Sequence, residues 1–341
     1  MKLRGKAVNS FPTSSFSSVM GMGIVSDAFF QLGITVLSNI LVIMDTVLYL
    51  ALVCFFLFLL SDRLKEIINK KLDHISVLGS FSFVAGTAVL VTRLSESGFF
   101  FLDIPALVVC VVSIILLVVL LIFRVDHGIF SRLDKPYLIL IPFIALFSTS
   151  VLSAQSFLKL DVPRQYLFQI SISTWFLALA GTLIFLPYTL FRYRKNFRHP
   201  ETIDGFYMIY SGIASLLSFS GLTMVELFKL SNIFLLSFLR VIIIMAYGWA
   251  VISTAPLFYI YARKLKEGSL KPRHKVSIWG SVFPMGVDSM GSFFVSSYFH
   301  LYQLIYLAYA YAFIGLTLIL VDIIGIVSLI RNKDLAIENS G

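Results

Sequence analysis

Charged residues are scarce in this chain. Asp, Glu, Lys and Arg make up only 13% of its 341 residues, whereas a soluble domain contains about a quarter. Hydrophobic residues reach 58%, and the mean hydropathy is +0.92. Because a water-soluble core cannot bury that much apolar surface, the composition excludes an ordinary soluble domain and indicates a membrane protein.

Cysteine and the usual catalytic motifs are also rare or missing. The two cysteines, Cys54 and Cys110, lie in apolar segments and give no disulfide framework. The sequence contains no HExxH, GxSxG, Walker or CxxC motif, and its five histidines fall in predicted loops, where no metal-binding group forms. We therefore expect no catalytic residue, cofactor or metal site. A membrane-embedded enzyme is the disfavoured alternative class.

Long stretches without charge provide the first positive signal. Four of them match the ~20 residues that cross the hydrocarbon layer of a bilayer. They lack the apolar/polar alternation of a barrel strand, and open sheet edges would leave backbone groups unpaired in lipid. The chain is therefore predicted to be an all-α integral membrane protein with ten transmembrane helices. The predicted bounds are 11–32, 38–60, 75–92, 104–123, 137–158, 165–191, 205–225, 230–262, 276–297 and 302–330.

The basic residues are distributed unequally between the two sides of this topology. When successive loops are assigned in turn to the two sides of the membrane, 22 of the 27 Lys and Arg residues lie on one side. By the positive-inside rule that side is cytoplasmic, which predicts a multi-pass protein of the cell membrane with both termini in the cytoplasm. The net charge of +9 then follows from topology. Membrane lipid is an expected partner, and nucleic acid is not.

The chain shows no separate soluble domain. The predicted division is a cytoplasmic tail at 1–10, one membrane transport domain at 11–330 and a second cytoplasmic tail at 331–341. The basic start of the chain leaves a cleaved signal peptide as an alternative. Pro12 and the five hydroxyl residues within 13–18 disfavour it, because they interrupt the apolar stretch that a signal peptide needs.

An internal repeat follows the predicted helices in pairs. The odd-numbered helices begin near residues 11, 75, 137, 205 and 276, so each step corresponds to one helical hairpin. Gly, Ser and Thr number 37 in the 105 residues of the odd helices and 18 in the 132 residues of the even helices. This alternation predicts five inner helices around a path and five outer helices facing lipid. The alternative is that small residues only mark packing interfaces.

Prolines and one phenylalanine are candidate features of the path. Pro12, Pro142 and Pro284 lie in odd helices, where a kink exposes a carbonyl that water or a solute can contact. Such kinks can equally be mere shape. In the ninth helix, Phe283 is predicted to plug the path, with Gly280 and Gly286 giving the ring room. The alternative for Phe283 is an ordinary packing role.

Two segments resemble a known family. Residues 11–21, FPTSSFSSVMG, are similar to the first helix of the tellurite-resistance/C4-dicarboxylate transporter family, which includes malate permeases, sulfite exporters and plant slow anion channels. Residues 279–286, WGSVFPMG, are similar to its ninth helix, whose phenylalanine plugs the pore. The resemblance implies five helical hairpins in a quasi-fivefold ring around a central pore, assembled as a homotrimer. Ser14 and Ser17 stand where the family commonly has glycine.

Hydroxyl groups on the inner helices are predicted to supply neutral donors to an anion, which suits conduction because no fixed charge traps the ion. Each hydroxyl can instead bond a carbonyl of its own helix. The candidates are Ser82, Thr87, Ser148, Ser218, Ser281 and Ser289.

Ionisable groups inside a membrane require an explanation. Asp27 and Asp288 lie on inner helices, and one hypothesis is that either residue binds a proton and couples its movement to that of an anion. The alternative is a salt bridge or a solvated position. Arg240, on an outer helix, is expected to snorkel rather than to attract anions.

The sequence thus predicts transmembrane transport of small anions, with C4-dicarboxylates such as malate as the favoured substrates. Sulfite or inorganic anions are the alternative. Channel-like conduction and proton-coupled carriage remain open. A receptor or scaffold would not need the repeated small-polar helices.

Overall fold

The computed structural model of the chain describes residues 13–68, 74–124, 136–159, 164–193, 205–228, 233–266 and 276–338. Within these ranges it contains ten α-helices, short 3-10 turns and no β-strand. The helices are α1 Ser17–Gln31, α2 Thr35–Ile68, α3 His74–Glu96, α4 Asp103–Arg124, α5 Ile141–Lys159, α6 Arg164–Tyr193, α7 Ile209–Phe228, α8 Ile233–Lys266, α9 Val276–Phe299 and α10 Leu304–Glu338.

The predicted all-α class is confirmed, and each predicted helix has a counterpart. Eight of the described helices are long and apolar enough to cross a membrane. The two helices that do not meet these criteria of length and composition are α1 and α9. α1 has only 15 residues, and α9 is rich in serine and glycine, which lowers its hydropathy. α10 continues to Glu338, beyond the predicted end at 330, because no helix-breaking residue follows that point.

Burial alternates along the chain as the composition predicts. The apolar spans of α3, α5 and α7 are 83%, 83% and 94% buried, whereas those of α2, α4, α6, α8 and α10 are 17–28% buried. In α1 the side chains from Ser17 to Phe29 are buried, and in α9 those of residues 279–292 are buried. We therefore call α1, α3, α5, α7 and α9 the inner helices, and the other five the outer helices.

Each inner helix is joined to the following outer helix by a buried polar contact. Ser26 and Ser38 each donate a hydroxyl hydrogen to the other's backbone carbonyl, at 2.8 and 2.6 Å. Ser150 and Ser171 form the same reciprocal pair, at 2.8 and 2.9 Å. Such bonds stabilise helix pairs where lipid offers no partner. The other three hairpins have the contacts Cys110 Sγ to Val84 O at 3.6 Å, Ser218 Oγ to Ile243 O at 3.0 Å and Ser289 Oγ to Ala308 O at 2.7 Å.

The inner helices also contact one another in order. α1 contacts α3, α3 contacts α5, α5 contacts α7, α7 contacts α9, and α9 contacts α1. Each inner helix therefore has two inner neighbours at its sides and an outer partner behind it. The order follows the chain except at its last contact, which brings the ninth helix back to the first.

The packing of α6 against α5 generates a first prediction. A Cβ built at Gly181 would lie 2.0 Å from Cε1 of Phe143. We expect Gly181→Ala to lower the free energy of unfolding by about 1–3 kcal/mol, because the ring would have to leave a packed site. Thermal unfolding of the purified protein in detergent measures this effect.

Gly248→Ala is the matched control, since nothing lies within 4 Å of the Cβ position of this glycine on α8. Alanine favours a helix more than glycine does, so we expect the control to be at least as stable as the wild type. Equal unfolding midpoints for the two variants would contradict the packing of α6 on α5.

Candidate functional site

Contacts on three sides of α9 leave one face directed toward the middle of the inner helices. Toward α1, Val282 Cγ1 lies 3.1 Å from the Cβ position of Gly21, and toward α7, Pro284 Cγ lies 3.0 Å from that of Gly212. Behind, Ser289 bonds α10. A helix has about 3.6 residues per turn, so the remaining side is a single stripe, which we call the central face. It carries Phe283, Val287, Met290 and Phe294.

The same reasoning defines a central face on α1, α3 and α5. On α3, for example, the Cβ position of Gly86 is 3.2 Å from the Phe16 carbonyl, so this side of α3 faces α1. The Val84 carbonyl faces Cys110 of α4, the outer helix paired with α3. On each inner helix, the stripe opposite its paired outer helix is therefore the central face. Its polar residues are Ser17, Asp27 and Gln31 on α1, Ser82, Thr92 and Glu96 on α3, and Ser148, Gln155 and Lys159 on α5.

Six of these central side chains hold a buried oxygen that has no hydrogen-bond partner within the described residues. On α1, α3 and α5, every such oxygen lies on the central face. Buried polar groups are nearly always paired with protein or with water. These oxygens therefore require water or a polar solute along the axis that the inner helices share. They are Ser17 Oγ, Asp27 Oδ1, Thr92 Oγ1, Glu96 Oε2, Ser148 Oγ and Gln155 Oε1.

The hydroxyls predicted from the sequence divide into two groups. Ser148 has an unpaired oxygen on a central face. Ser82 and Thr87 donate to carbonyls of their own helix, at 2.7 and 2.8 Å. Ser218 and Ser289 donate to outer-helix carbonyls. Ser82, Thr87 and Ser218 thus bond a carbonyl of their own helix, as in the alternative, and Ser289 bonds only a different helix. A place for these four on a solute path stays a prediction.

Phe283 is fully buried, with 0% exposure, and both Gly280 and Ser281 are buried near it. A Cβ at Gly286 would lie 2.5 Å from Cγ2 of Ile24, so this glycine permits the close approach of α9 and α1. That Gly280 and Gly286 give the Phe283 ring room stays a prediction.

The three predicted kink prolines occupy different positions. Pro284 lies inside α9 and packs against Gly212 of α7. Pro142 is half-buried in the first turn of α5, where a missing backbone N–H leaves no bond unmade. Pro12 lies outside the described residues.

Asp288 points between α7 and α8 instead of along the central face. Its carboxylate accepts hydrogen bonds from Ser211 at 2.6 Å, from Thr254 at 3.1 Å and from Ser215. Ser292 donates to the Asp288 carbonyl at 2.7 Å. Three hydroxyl donors satisfy the carboxylate from two neighbouring helices, so it fastens α9 to α7 and α8. A role for Asp288 in proton coupling stays a prediction.

Asp27 lies in a group of polar side chains at the C-terminal ends of α1, α3 and α5. Its carboxyl lies near that of Glu96, which follows from the position of Gln31 one turn after Asp27 on the same face of α1. Gln31 Nε2 donates to Glu96 Oε1 at 2.8 Å, and Lys159 Nζ donates to Ser95 Oγ at 3.0 Å. We call this group, which also includes Arg93 and Asp103, the terminal cluster.

Arg93 fixes the terminal cluster to α2. Its guanidinium donates to Ser38 at 2.9 Å, to Ser97 at 2.7 Å and to Asn39 at 3.1 Å, and lies 4.1 Å from the ring centre of Phe30. All of these partners are neutral. Arg240 lies at the surface, and its Nε donates to the Tyr298 hydroxyl at 3.0 Å, which agrees with a snorkelling side chain.

Sequence reasoning missed Thr92, Glu96 and Gln155. Their spacing contains a signal, since Thr92 and Glu96 are four residues apart and Ser148 and Gln155 are seven apart, which places each pair on one helix face. A search for polar residues at these intervals in the inner helices would have found them.

Residues 10–327 match the sequence pattern of SLAC1, described as a voltage-dependent anion channel. The chain belongs to the SLAC1 family. The match spans all ten helices and confirms the resemblance to the tellurite-resistance/C4-dicarboxylate transporters seen in two short segments. Membership in the SLAC1 family establishes a multi-pass membrane protein from a family of anion channels and transporters, not of enzymes. Comparison with curated proteins gives no match.

The Asp288 network generates a prediction for this SLAC1-family member. Asp288→Ala removes the common acceptor of three buried hydroxyls, so we expect the free energy of unfolding to fall by about 1–3 kcal/mol. Asp288→Asn keeps one acceptor oxygen and should lose less. Thermal unfolding in detergent compares the two, and an alanine variant as stable as the wild type would show that the network does not hold α9 in place.

Proposed function

We propose that the inner helices form a quasi-fivefold ring around a central pore that carries small anions across the cell membrane. The unpaired oxygens on the central faces are the observation that carries this proposal. They lie at several levels along the same axis and on three neighbouring helices. In a membrane protein such groups are tolerated where water lines a cavity. Membership in an anion-channel family supplies the class of solute.

Phe283 is the proposed plug of this pore. It lies on the central face of α9 and is 0% exposed, so its ring is enclosed on every side. Val287 and Met290 follow it on the same face and are also buried. An apolar constriction of this kind blocks ions because water, which must accompany them, is excluded. The proposed closed state is therefore dry at Phe283 and polar toward the terminal cluster.

C4-dicarboxylates such as malate are the first proposed substrates. The hydroxyls of Ser17, Thr92 and Ser148 supply donors without a fixed positive charge, and the Lys159 ammonium, bonded to Ser95, lies only at the end of α5. This arrangement attracts an anion without trapping it. Inorganic anions such as sulfite, nitrate or chloride are the second candidates, which the description of the family as anion channels favours.

The proposed orientation places both termini in the cytoplasm, because most basic residues lie in the loops on that side. The terminal cluster then faces the outside. A homotrimer with one pore per subunit is proposed from the family resemblance. The exposed apolar faces of the outer helices provide the surface for lipid and for subunit contacts.

Truncation of the plug tests the pore directly. We expect Phe283→Ala to raise anion flux into proteoliposomes by roughly tenfold or more, because removing the ring opens the constriction to water. The flux is measured for malate and for chloride, with the variant shown to be folded by its elution as a single species in detergent.

Phe147→Ala is the matched control. Phe147 is also 0% exposed, but it packs edge-on against Trp175 of α6, at 6.3 Å between ring centres, away from the central face. Both variants lose the same volume, so only the position differs. A folded Phe283→Ala protein whose flux equals that of Phe147→Ala would remove Phe283 from its proposed role.

A comparison of solutes tests the substrate class. We expect wild-type proteoliposomes to take up malate faster than sulfite, nitrate or chloride, and to take up no potassium, because the free hydroxyl donors favour anions. Faster nitrate or chloride uptake would instead identify a channel for inorganic anions. Uptake of none of the four anions, by either the wild type or Phe283→Ala, would contradict transport itself.

A further inference from the structure

We propose that Asp27 and Glu96 together form a proton-binding site at the outer mouth of the pore, and that this site makes anion passage depend on the outer pH. The inference rests on the proposed pore and adds its regulation. The sequence analysis predicted only Asp27 as a proton-binding residue in this region. The structure adds Glu96, which lies on α3 and is far from Asp27 in the sequence.

The closeness of the two carboxyls carries the inference. Gln31 lies four residues after Asp27, on the same face of α1. Its Nε2 donates to Glu96 Oε1 at 2.8 Å and so holds the Glu96 carboxyl against that face. Ionised carboxylates only accept hydrogen bonds, so two of them side by side repel each other, and one proton bound between them removes that repulsion. The geometry therefore favours a carboxyl pair that shares one proton.

The unpaired oxygens show where the proton would exchange. Asp27 Oδ1 and Glu96 Oε2 lie on central faces and have no hydrogen-bond partner in the described part of the chain. Thr92, one turn before Glu96 on the same face, is 3% exposed, and its hydroxyl oxygen is also unpaired. A water molecule among these atoms would satisfy all three. The pair thus lies beside the route of the anion and not behind the wall of the pore.

The charged groups that face the pair come from three helices. Arg93 of α3 and Lys159 of α5 act on both carboxyls, and Asp103 of α4 is linked to Lys159 through Ser95. α2 contributes only the neutral Ser38 and Asn39 near Arg93. The two cations stabilise one negative charge on the pair, so the second carboxyl is the one that gains or loses a proton.

The sign of the effect follows from this charge count. When the outer pH falls, the pair gains a proton and its negative charge decreases, so an anion in the mouth is repelled less. When the pH rises, the pair becomes more negative and repels the anion more. Anion flux should therefore increase as the outer medium is acidified, with the inner pH held constant.

The test measures chloride and nitrate flux into wild-type proteoliposomes while the outer pH is varied from about 8 to about 5. These anions do not titrate in that range, so a pH effect belongs to the protein. We expect wild-type flux to rise about tenfold with acidification. Glu96→Gln and Asp27→Asn should transport at all pH values with a change below about twofold, because each leaves the pair without its exchangeable proton.

Asp45→Asn is the matched control. Asp45 of α2 is a fully buried carboxyl, like Asp27, and neither of its oxygens has a hydrogen-bond partner among the residues that the structure describes. It packs against Gly23, away from the central face. We expect this variant to keep the wild-type pH profile. The inference is overturned if Glu96→Gln and Asp27→Asn keep that profile too. Absence of anion flux at every pH in both the wild type and Phe283→Ala would instead reject the pore.

Infrared spectroscopy gives a readout that does not depend on transport. The spectrum of Asp45→Asn protein should contain a protonated-carboxyl band that disappears as the pH is raised, and this band should be missing from the double variant with Glu96→Gln. If the Glu96 variants do not fold, Asp27→Asn is combined with Asp45→Asn instead, because Asp103 and Asp288 are also buried carboxyls and only a second variant assigns the band. Absence of the band near neutral pH, or its persistence in the double variants, would overturn the shared proton.

Discussion

The absence of water in the bilayer core is the constraint on which the rest of this structure depends. Every polar group buried there needs a partner inside the protein or along a hydrated axis. The five hairpins meet this need with buried contacts between inner and outer helices, of which the pair Ser150 and Ser171 is one. On α1, α3 and α5, the oxygens left unpaired all lie on the central faces. On these three inner helices, the unsatisfied groups therefore mark the proposed route and the satisfied groups mark the wall.

Small residues serve two purposes in this arrangement. Gly286 and Gly212 have no side chain, so neighbouring inner helices approach closely there. Ile24 of α1 packs on Gly286, and Pro284 of α9 packs on Gly212. Some serines bond across hairpins, whereas Ser17 and Ser148 have a hydroxyl oxygen without a hydrogen-bond partner among the described residues. Bulky apolar side chains are then left for the lipid-facing surface, where residues such as Val47 and Ile244 are exposed. The enrichment of small residues in the inner helices therefore has two causes, close packing and hydration of the centre. The sequence alone does not show which cause applies to a given residue.

The helices, their order and the inner/outer alternation could be predicted from charge-free runs and from the counts of small residues, because both follow directly from the bilayer. The orientation of individual side chains could not. Ser218 and Ser289 look like lining residues by composition, yet they bond outer helices, since rotation of a helix by one residue changes what a hydroxyl meets. Glu96 was missed because its importance depends on Asp27, which is distant in the chain.

The reciprocal serine pairs have a mechanical consequence. In Ser26 and Ser38, each hydroxyl donates to the backbone of the other residue, so sliding one helix along the other by a single residue would break both bonds at once. The α1–α2 and α5–α6 hairpins, which have such pairs, therefore resist sliding between their two helices. At these hairpins, an opening of the centre would require tilting of the whole hairpin or rotation of side chains.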